Sequence, residues 1–301
     1  MKLTLGLDAE FLFTEKDSAG KYQVKSARDF FSRYTGKLGT DTCSTLAEVR
    51  PAPNEEPKLV VANIQKIFRN YCQKKPELTM YDWKAGSAWK TSYALGGHLH
   101  YGFVEEDGSA YPYHCQDTAK VLDVYLSSLV LLFENTNDAK QRRKHLNYGR
   151  LGAARSQRWG MEYRTLPSFI VSPFITESVL TVGKVIVWQV WKDGDDIFNK
   201  FPIINKLSAN YRFKNNFNEC HKEYFQKIRA KIMNDLSQFE LYEKYETLIK
   251  NFNQFLITNP EFDLNQITDF KVNWGINAIV QKQVVSAPAE EVWNAIQQVR
   301  F

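Results

Sequence analysis

Residues 2–13 read KLTLGLDAEFLF. Apolar side chains recur at every second position, and the stretch is rich in β-forming residues, so it predicts a strand with one face buried. Asp8 and Glu10 interrupt the other phase. Two positions apart on a strand, both carboxylates project from the same face. The spacing recurs in three further β-like segments, as Glu48 and Arg50, His98 and His100, and Glu162 and Arg164. A solvated sheet face carries single pairs of this kind. Four pairs group carboxylates, imidazoles and arginines as hard-cation and phosphate sites do.

Working outward, residues 21–25 read as a hairpin partner after a polar turn, and 36–42 as a Gly-rich loop. Residues 45–50 form a strand stopped by Pro51 and Pro53. Leu59, Val60, Ile64, Ile67, Phe68 and Tyr71 recur at helical spacing. Residues 97–103 and 160–166 are predicted strands, whereas 117–133 and 173–191 are predicted buried helices carrying Asp123 and Lys184. After about Asp193 the text turns polar, Lys/Asn-rich and helical. Leu241, Tyr245, Leu248, Phe252 and Phe255 mark one helix, and Val292, Ile296 and Val299 a last one started near Ser286 and Pro288. The class is α+β, an antiparallel sheet with packed helices and a helical C-terminal extension. Residues 1–193 form the expected catalytic domain and 194–301 the helical region.

The chain's 301 residues, 44% hydrophobic, support a sizeable core, and 20 Phe and 15 Tyr make that core aromatic. Net charge is +5, too mild to imply nucleic acid by itself and suited to anionic substrates. Cysteines 43, 72, 115 and 220 show no metal spacing and fit reduced thiols. The apolar runs are too short to span a bilayer, so a cytoplasmic protein without a membrane partner is expected.

Asp8, Glu10, Glu48 and Glu162 offer the oxygen ligands of magnesium, and a pair of such ions would bridge a triphosphate. His98-Leu-His100 equally suits zinc. Gly96-Gly97 before it allows the close backbone approach that a phosphate or adenine would need. Residues 142–164, RRKHLNYGRLGAARSQRWGMEYR, concentrate arginine, the fork-shaped donor for phosphate and carboxylate. A basic loop or an RNA-binding patch would read similarly, with Trp159 and Tyr163 among the arginines. P-loop, GxGxxG and GxSxG motifs are absent.

As an ordered set, GLDAEF, GTDT…AEVRP, GGHLHYG and YGRLGAAR…GMEYRTLPS resemble the phage-type carboxylate–amine ligases, the COOH–NH2 ligase type 2 family, over roughly residues 1–190. These are relatives of glutamine synthetase and glutamate–cysteine ligase. The resemblance implies a glutamine-synthetase-like catalytic fold. It also implies that ATP phosphorylates a carboxylate, which an amine then attacks to give an amide. By the same resemblance Asp8, Glu10, Glu48, Glu162 and His98 are the metal ligands, with magnesium or manganese as the ion. Arg155 and Arg158 hold phosphate. Arg164 holds the substrate carboxylate or the acyl phosphate, with Glu162 beside it in the catalytic set. His98, His100 and Arg50 border the nucleotide. Asp8 stands where glutamine synthetase has a glutamate, one methylene shorter in reach. Substrates would be small-molecule, peptide or protein carboxylates and amines, in a host cytoplasm if the chain is phage-encoded. Nucleic acid remains open as a target, and the C-terminal part is the natural place for self-association. Other readings of the same residues are a phosphotransferase, a zinc hydrolase on His98 and His100, and a nucleotide-binding protein without turnover.

Overall fold

A computed structural model describes residues 2–32, 36–40, 43–104 and 115–276. The C-terminal helix expected around Val292, Ile296 and Val299 lies outside the described residues, as do residues 41–42 of the expected Gly-rich loop. Strand β1 runs Lys2–Lys16 and β2 Tyr22–Lys25, with β3 at Leu38–Gly39 and β4 at Ala47–Val49. After α1, Pro57–Lys74, come β5 at Asp82–Lys84, β6 at Ala88–Trp89, β7 at Tyr93–Ala94 and β8 at Gly97–Val104. Helix α2, Cys115–Leu122, passes through a π-helical turn at Asp123–Ser127 into α3, Ser128–Val130, and a 3-10 turn at Leu131–Phe133. Then α4, Thr136–Lys140, precedes β9 at Ala154–Gln157, β10 at Gly160–Tyr163 and the long α5, Pro173–Asp193. The remaining helices are α6 Ile197–Lys200, α7 Ile203–Ser208, α8 Tyr211–Asn218, α9 Lys222–Leu236 and α10 Tyr242–Thr258.

The sheet order is β3-β4-β1-β8-β10-β9, with β2 and β5 both pairing β1, and β6-β7 forming a separate hairpin. Every pairing is antiparallel. The α+β class read from the sequence is therefore what is found. β1 organises the sheet because it is long enough to take different neighbours at its two ends. Its first part pairs β8, and its last residues pair β2 and β5.

Alternation decides which face is dry. Leu5, Tyr101 and Met161 lie side by side on β1, β8 and β10, all fully buried. Helices α1, α2 and α5 cover this face. Gly183 of α5 lets the Tyr101 hydroxyl come so near that an added Cβ would lie 2.2 Å from it. Aromatic rings fill the rest: Phe11 stacks on Trp83 at 5.2 Å, and both meet Phe68 and Phe270 edge-on or tilted. Edge-to-face pairs of this kind add roughly 0.5–1.5 kcal/mol each beyond their burial.

The chain after Asp193 packs on the same hydrophobic cluster, which runs from Leu3 to Ile276. Trp274 donates to the Ile170 carbonyl at 2.8 Å, and Asp269 accepts from the Trp83 amide at 3.0 Å. Lys184, the lysine inside buried α5, is satisfied by the Glu55 carbonyl at 2.6 Å and the Tyr245 hydroxyl of α10 at 2.9 Å. No described helix is long and apolar enough to cross a membrane.

Two expected boundaries move. The strand predicted to reach residue 166 stops at Tyr163; beyond it the Arg142 guanidinium takes the Thr165 carbonyl and shares that of Leu166 with the Gly97 amide of β8. The predicted helix 117–133 is broken into α2, the π turn and α3, with Asp123 opening the π turn.

Candidate active site

The face of the sheet opposite the helices carries the paired residues, and the strand register sets them in rows. Glu10 lies across from Glu48, Asp8 from His98, and His100 from Glu162, which in turn faces Arg155. Neighbouring strands are only about 4.8 Å apart, so each row brings polar side chains from two or three strands close together.

At the centre, His98 Nδ1 stands 2.7 Å from Asp8 Oδ1 and 3.7 Å from Glu162 Oε1. One ligand atom each from Asp8, His98 and Glu162 lies within 4.8 Å of the other two. Asp8 Oδ1 is buried without an aligned hydrogen-bond donor, and so is His100 Nε2, which lies 3.3 Å from Asp8 Oδ2. A buried, unsatisfied carboxylate oxygen facing a second carboxylate and an imidazole is an arrangement that a divalent cation completes. The residues present thus fit a metal. Burial raises the Asp8 carboxyl, but the adjacent His100 and His98 imidazoles outweigh it, and the group titrates well below the usual carboxylate range.

Glu10 and Glu48 are held differently. Glu10 Oε2 accepts from the Gly96 amide at 2.6 Å, and both its oxygens lie 3.1 Å from the Tyr148 hydroxyl. Burial raises its pKa, with the charge of His98 opposing. Glu48 accepts from the Arg50 guanidinium. Burial and then the charge of Asp8 push Glu48 up to about 9 despite Arg50. Arg50 is thus bound through Nη2 to a metal-ligand candidate, while its Nη1 has no hydrogen-bond partner.

A cleft of about 350 Å³ opens beside this cluster. Glu10, Glu48, Tyr148 and Arg164 supply its polar wall, and Ser92 and Tyr93 from the β6–β7 hairpin border it. Arg164 reaches toward the cluster, its Nε 3.4 Å from Glu162 Oε1. The Gly-Gly step before His98 has a specific cause. A Cβ on Gly96 would lie 2.5 Å from His98 Nε2 and 2.8 Å from the Tyr148 hydroxyl, and one on Gly97 would lie 2.4 Å from the Pro167 carbonyl oxygen. The close approach that these glycines permit is made by the protein's own groups.

The arginine-rich run divides in two. Arg142 and Arg143 are fully buried. Arg142 clamps the carbonyls of Thr165 and Leu166, and Arg143 pairs with buried Glu134 and donates to the Phe217 carbonyl at 2.8 Å. These two are scaffold, neither a solvated loop nor an RNA patch, and Tyr163 is buried with them. Arg155 on β9 and Arg158 in the β9–β10 turn are exposed. Arg155 Nε stands 3.7 Å from Glu162 Oε2, a carboxylate that Gln157 also holds at 3.1 Å. Arg158 makes no hydrogen bond or ion pair with the described residues.

Asp123 fixes the loop between the two halves. Its carboxylate accepts from the Gly152 amide at 2.6 Å, the Tyr163 hydroxyl at 2.5 Å and the Thr165 hydroxyl at 3.2 Å. Burial raises its pKa to about 7 against the pull of these donors. A π turn often marks a functional position in a helix, and here it delivers Asp123 to the back of β10.

The structure therefore brings Asp8, His98 and Glu162 together, with Arg164, Glu10 and Glu48 lining the cleft next to them. His100 packs on Trp159 at 5.1 Å between ring centroids and faces the far oxygen of Asp8. The two histidines address different oxygens of one aspartate, and the cation-like grouping among the described residues omits His100. A zinc site shared by both imidazoles is not what the geometry offers. Sequence reasoning missed Tyr148, although it lies inside the quoted YGRLGAAR, because a tyrosine beside glycine carries no spacing signal.

A family model described as phage phiEco32-like COOH.NH2 ligase type 2 matches residues 5–276. Among solved structures, the chain is similar to a Plasmodium falciparum glutamine synthetase, with 11% identity and a TM-score of 0.48 over 86% of this chain and 72% of that one. It is also similar to a glutamine synthase homologue, with 13% identity and a TM-score of 0.42 over 82% and 71%. A bifunctional glutathione synthetase from Pasteurella multocida gives 10% identity and a TM-score of 0.44 over 86% of this chain and 52% of that one. No curated protein sequence matches.

Proposed function

The chain belongs to the phage phiEco32-like COOH.NH2 ligase type 2 family, a carboxylate–amine ligase family, and from that premise we propose that it is an ATP- and magnesium-dependent enzyme that forms an amide through an acyl phosphate. The observation that carries the reading is the convergence of Asp8, His98 and Glu162, their ligand atoms within 4.8 Å of one another, beside a cleft walled by Arg164 and two further carboxylates.

Asp8, His98 and Glu162 would hold the cation, with Glu10 and Glu48 facing it from the cleft. A bound magnesium ion, for which manganese could substitute, would offset the negative charge of the nucleotide phosphates. Arg155 on β9 and Arg158 in the β9–β10 turn, both exposed, would fold onto the transferring phosphoryl group, where fixed positive charge lowers the barrier. Arg164, anchored against Glu162, presents its guanidinium edge to the acid substrate and to the acyl phosphate that replaces it. Phosphoryl transfer breaks the γ-phosphate bond of ATP and leaves ADP. Amine attack then forms the C–N bond and releases phosphate, with one proton lost from the nitrogen. The acid and the amine are small molecules or the ends of a peptide or protein, and the cleft mouth beyond Arg164 is where that choice would be made.

The test is ADP and phosphate release by the folded protein over a panel of acids and amines with magnesium. Turnover is expected to need both partners, and Asp8→Asn or Glu162→Gln to lower it by at least about 100-fold. Folded wild-type protein that forms no ADP with any pair would contradict the proposal, and a stable phosphorylated acid formed without amine would favour a phosphotransferase instead.

A further inference from the structure

Tyr148 touches both halves of the polar face, and the ligand set gives it no part. Its hydroxyl lies 2.8 Å from His98 Nε2 and 3.1 Å from each oxygen of Glu10. On the other side of the same imidazole, Nδ1 faces Asp8 and Glu162. An imidazole that gives a lone pair to a cation keeps its proton on the opposite nitrogen, and that proton needs an acceptor inside the protein. Tyr148 is positioned to be that acceptor while sending its own proton to Glu10.

The ring is fixed for the task. Arg142 and Arg164 lie over it at 5.4 and 5.9 Å from the centroid, and the absent side chain of Gly96 leaves room for the His98–Tyr148 contact. We propose that Tyr148 is a positioning residue. Its hydroxyl sets the His98 Nε2–H tautomer, turns the Nδ1 lone pair toward Asp8 and Glu162, and ties that ligand to Glu10 on the cleft wall. The inference rests on reading the Asp8–His98–Glu162 cluster as a divalent-cation site. The opposite direction, with Tyr148 donating to His98, would leave the proton on Nδ1 and close that nitrogen to a cation.

Calorimetric titration of the full chain with manganese alone, in wild type and Tyr148→Phe, reads the claim without turnover. The phenyl ring keeps the two arginine contacts and loses only the hydroxyl. Manganese affinity is expected to fall roughly tenfold, as it does when the hydrogen-bond partner of a ligating histidine is removed, with the circular dichroism spectrum unchanged. Gly96→Ala, whose Cβ would crowd the same contact, should weaken binding as well and serves if Tyr148→Phe does not fold. Nitrogen NMR of the magnesium-loaded wild type should show His98 protonated at Nε2. Manganese binding unchanged in both variants, or a proton on Nδ1 in the loaded protein, overturns this inference and leaves the metal reading standing. Wild-type protein that binds no manganese overturns both.

Discussion

The two ends of residues 142–164 are made of the same amino acid and do opposite work. At the first, Arg142 and Arg143 are sealed in the core, one on backbone carbonyls and the other on Glu134. At the second, Arg155 and Arg158 face solvent and Arg164 opens on the cleft. A run of arginine does not announce which end is scaffold. The difference comes from what surrounds each side chain: helix α4 and its continuation press the first two inward, while the short β9–β10 hairpin lifts the others clear. A buried guanidinium contributes by satisfying groups that would otherwise be orphaned, whereas an exposed one contributes only when an anion arrives.

That contrast can be broken experimentally, and the largest effect should be on stability. Arg143→Ala leaves the Glu134 charge buried without its partner, and it should cost about 3–5 kcal/mol in chemical denaturation. A loss below about 1 kcal/mol would mean that the pair is not sealed as described. Arg164→Ala should do the reverse, lowering kcat/KM by about 100-fold while the denaturation midpoint stays near that of wild type. A matching fall in stability would move Arg164 to the scaffold side.

Asp123 lies at the join and should show itself through pH. Its carboxyl is raised to about 7 in the folded chain against an ordinary value near 3.8. Between about pH 4 and 7 the folded state holds a proton that the unfolded state has released. Stability from this group is therefore fullest below pH 4 and declines as pH rises through 7, by at most about 1.4 kcal/mol per pH unit. Asp123→Asn should flatten that slope in denaturation curves at pH 4.5–7.5. An identical slope in the two proteins would count against a raised Asp123. The smallest effect is expected at Arg158, where alanine should reduce activity only a few-fold and mainly at low salt, because an exposed charge is screened.

Much of the framework was legible in the sequence because alternation and helical spacing are local. The strand at residues 2–13, the helix starting at Pro57 and the buried helix starting at Pro173 all follow from pattern and punctuation. The four pairs were legible as pairs for the same reason. Their arrangement was not, because register is a long-range property: nothing near Glu162 says that it faces His100, or near Glu10 that it faces Glu48. The short strands β5, β6, β7 and β9 escaped because two to four residues carry no period. Tyr148 and Asp123 escaped because a single polar residue acquires its role from contacts 29 or more positions away. The glycines at 96 and 97 signal a close approach, but only the folded chain shows that His98, Tyr148 and Pro167 make it.

Asp8, His98 and Glu162 are the proposed ligands of one cation at the head of the cleft. A crystal structure of the chain grown with manganese and a non-hydrolysable ATP analogue, with the metal located by its anomalous scattering, tests it most directly. A peak is expected within bonding distance of Asp8 Oδ1, His98 Nδ1 and Glu162 Oε1, with the nucleotide phosphates turned toward it. Bound nucleotide with metal elsewhere, or with none at those three atoms, would contradict it.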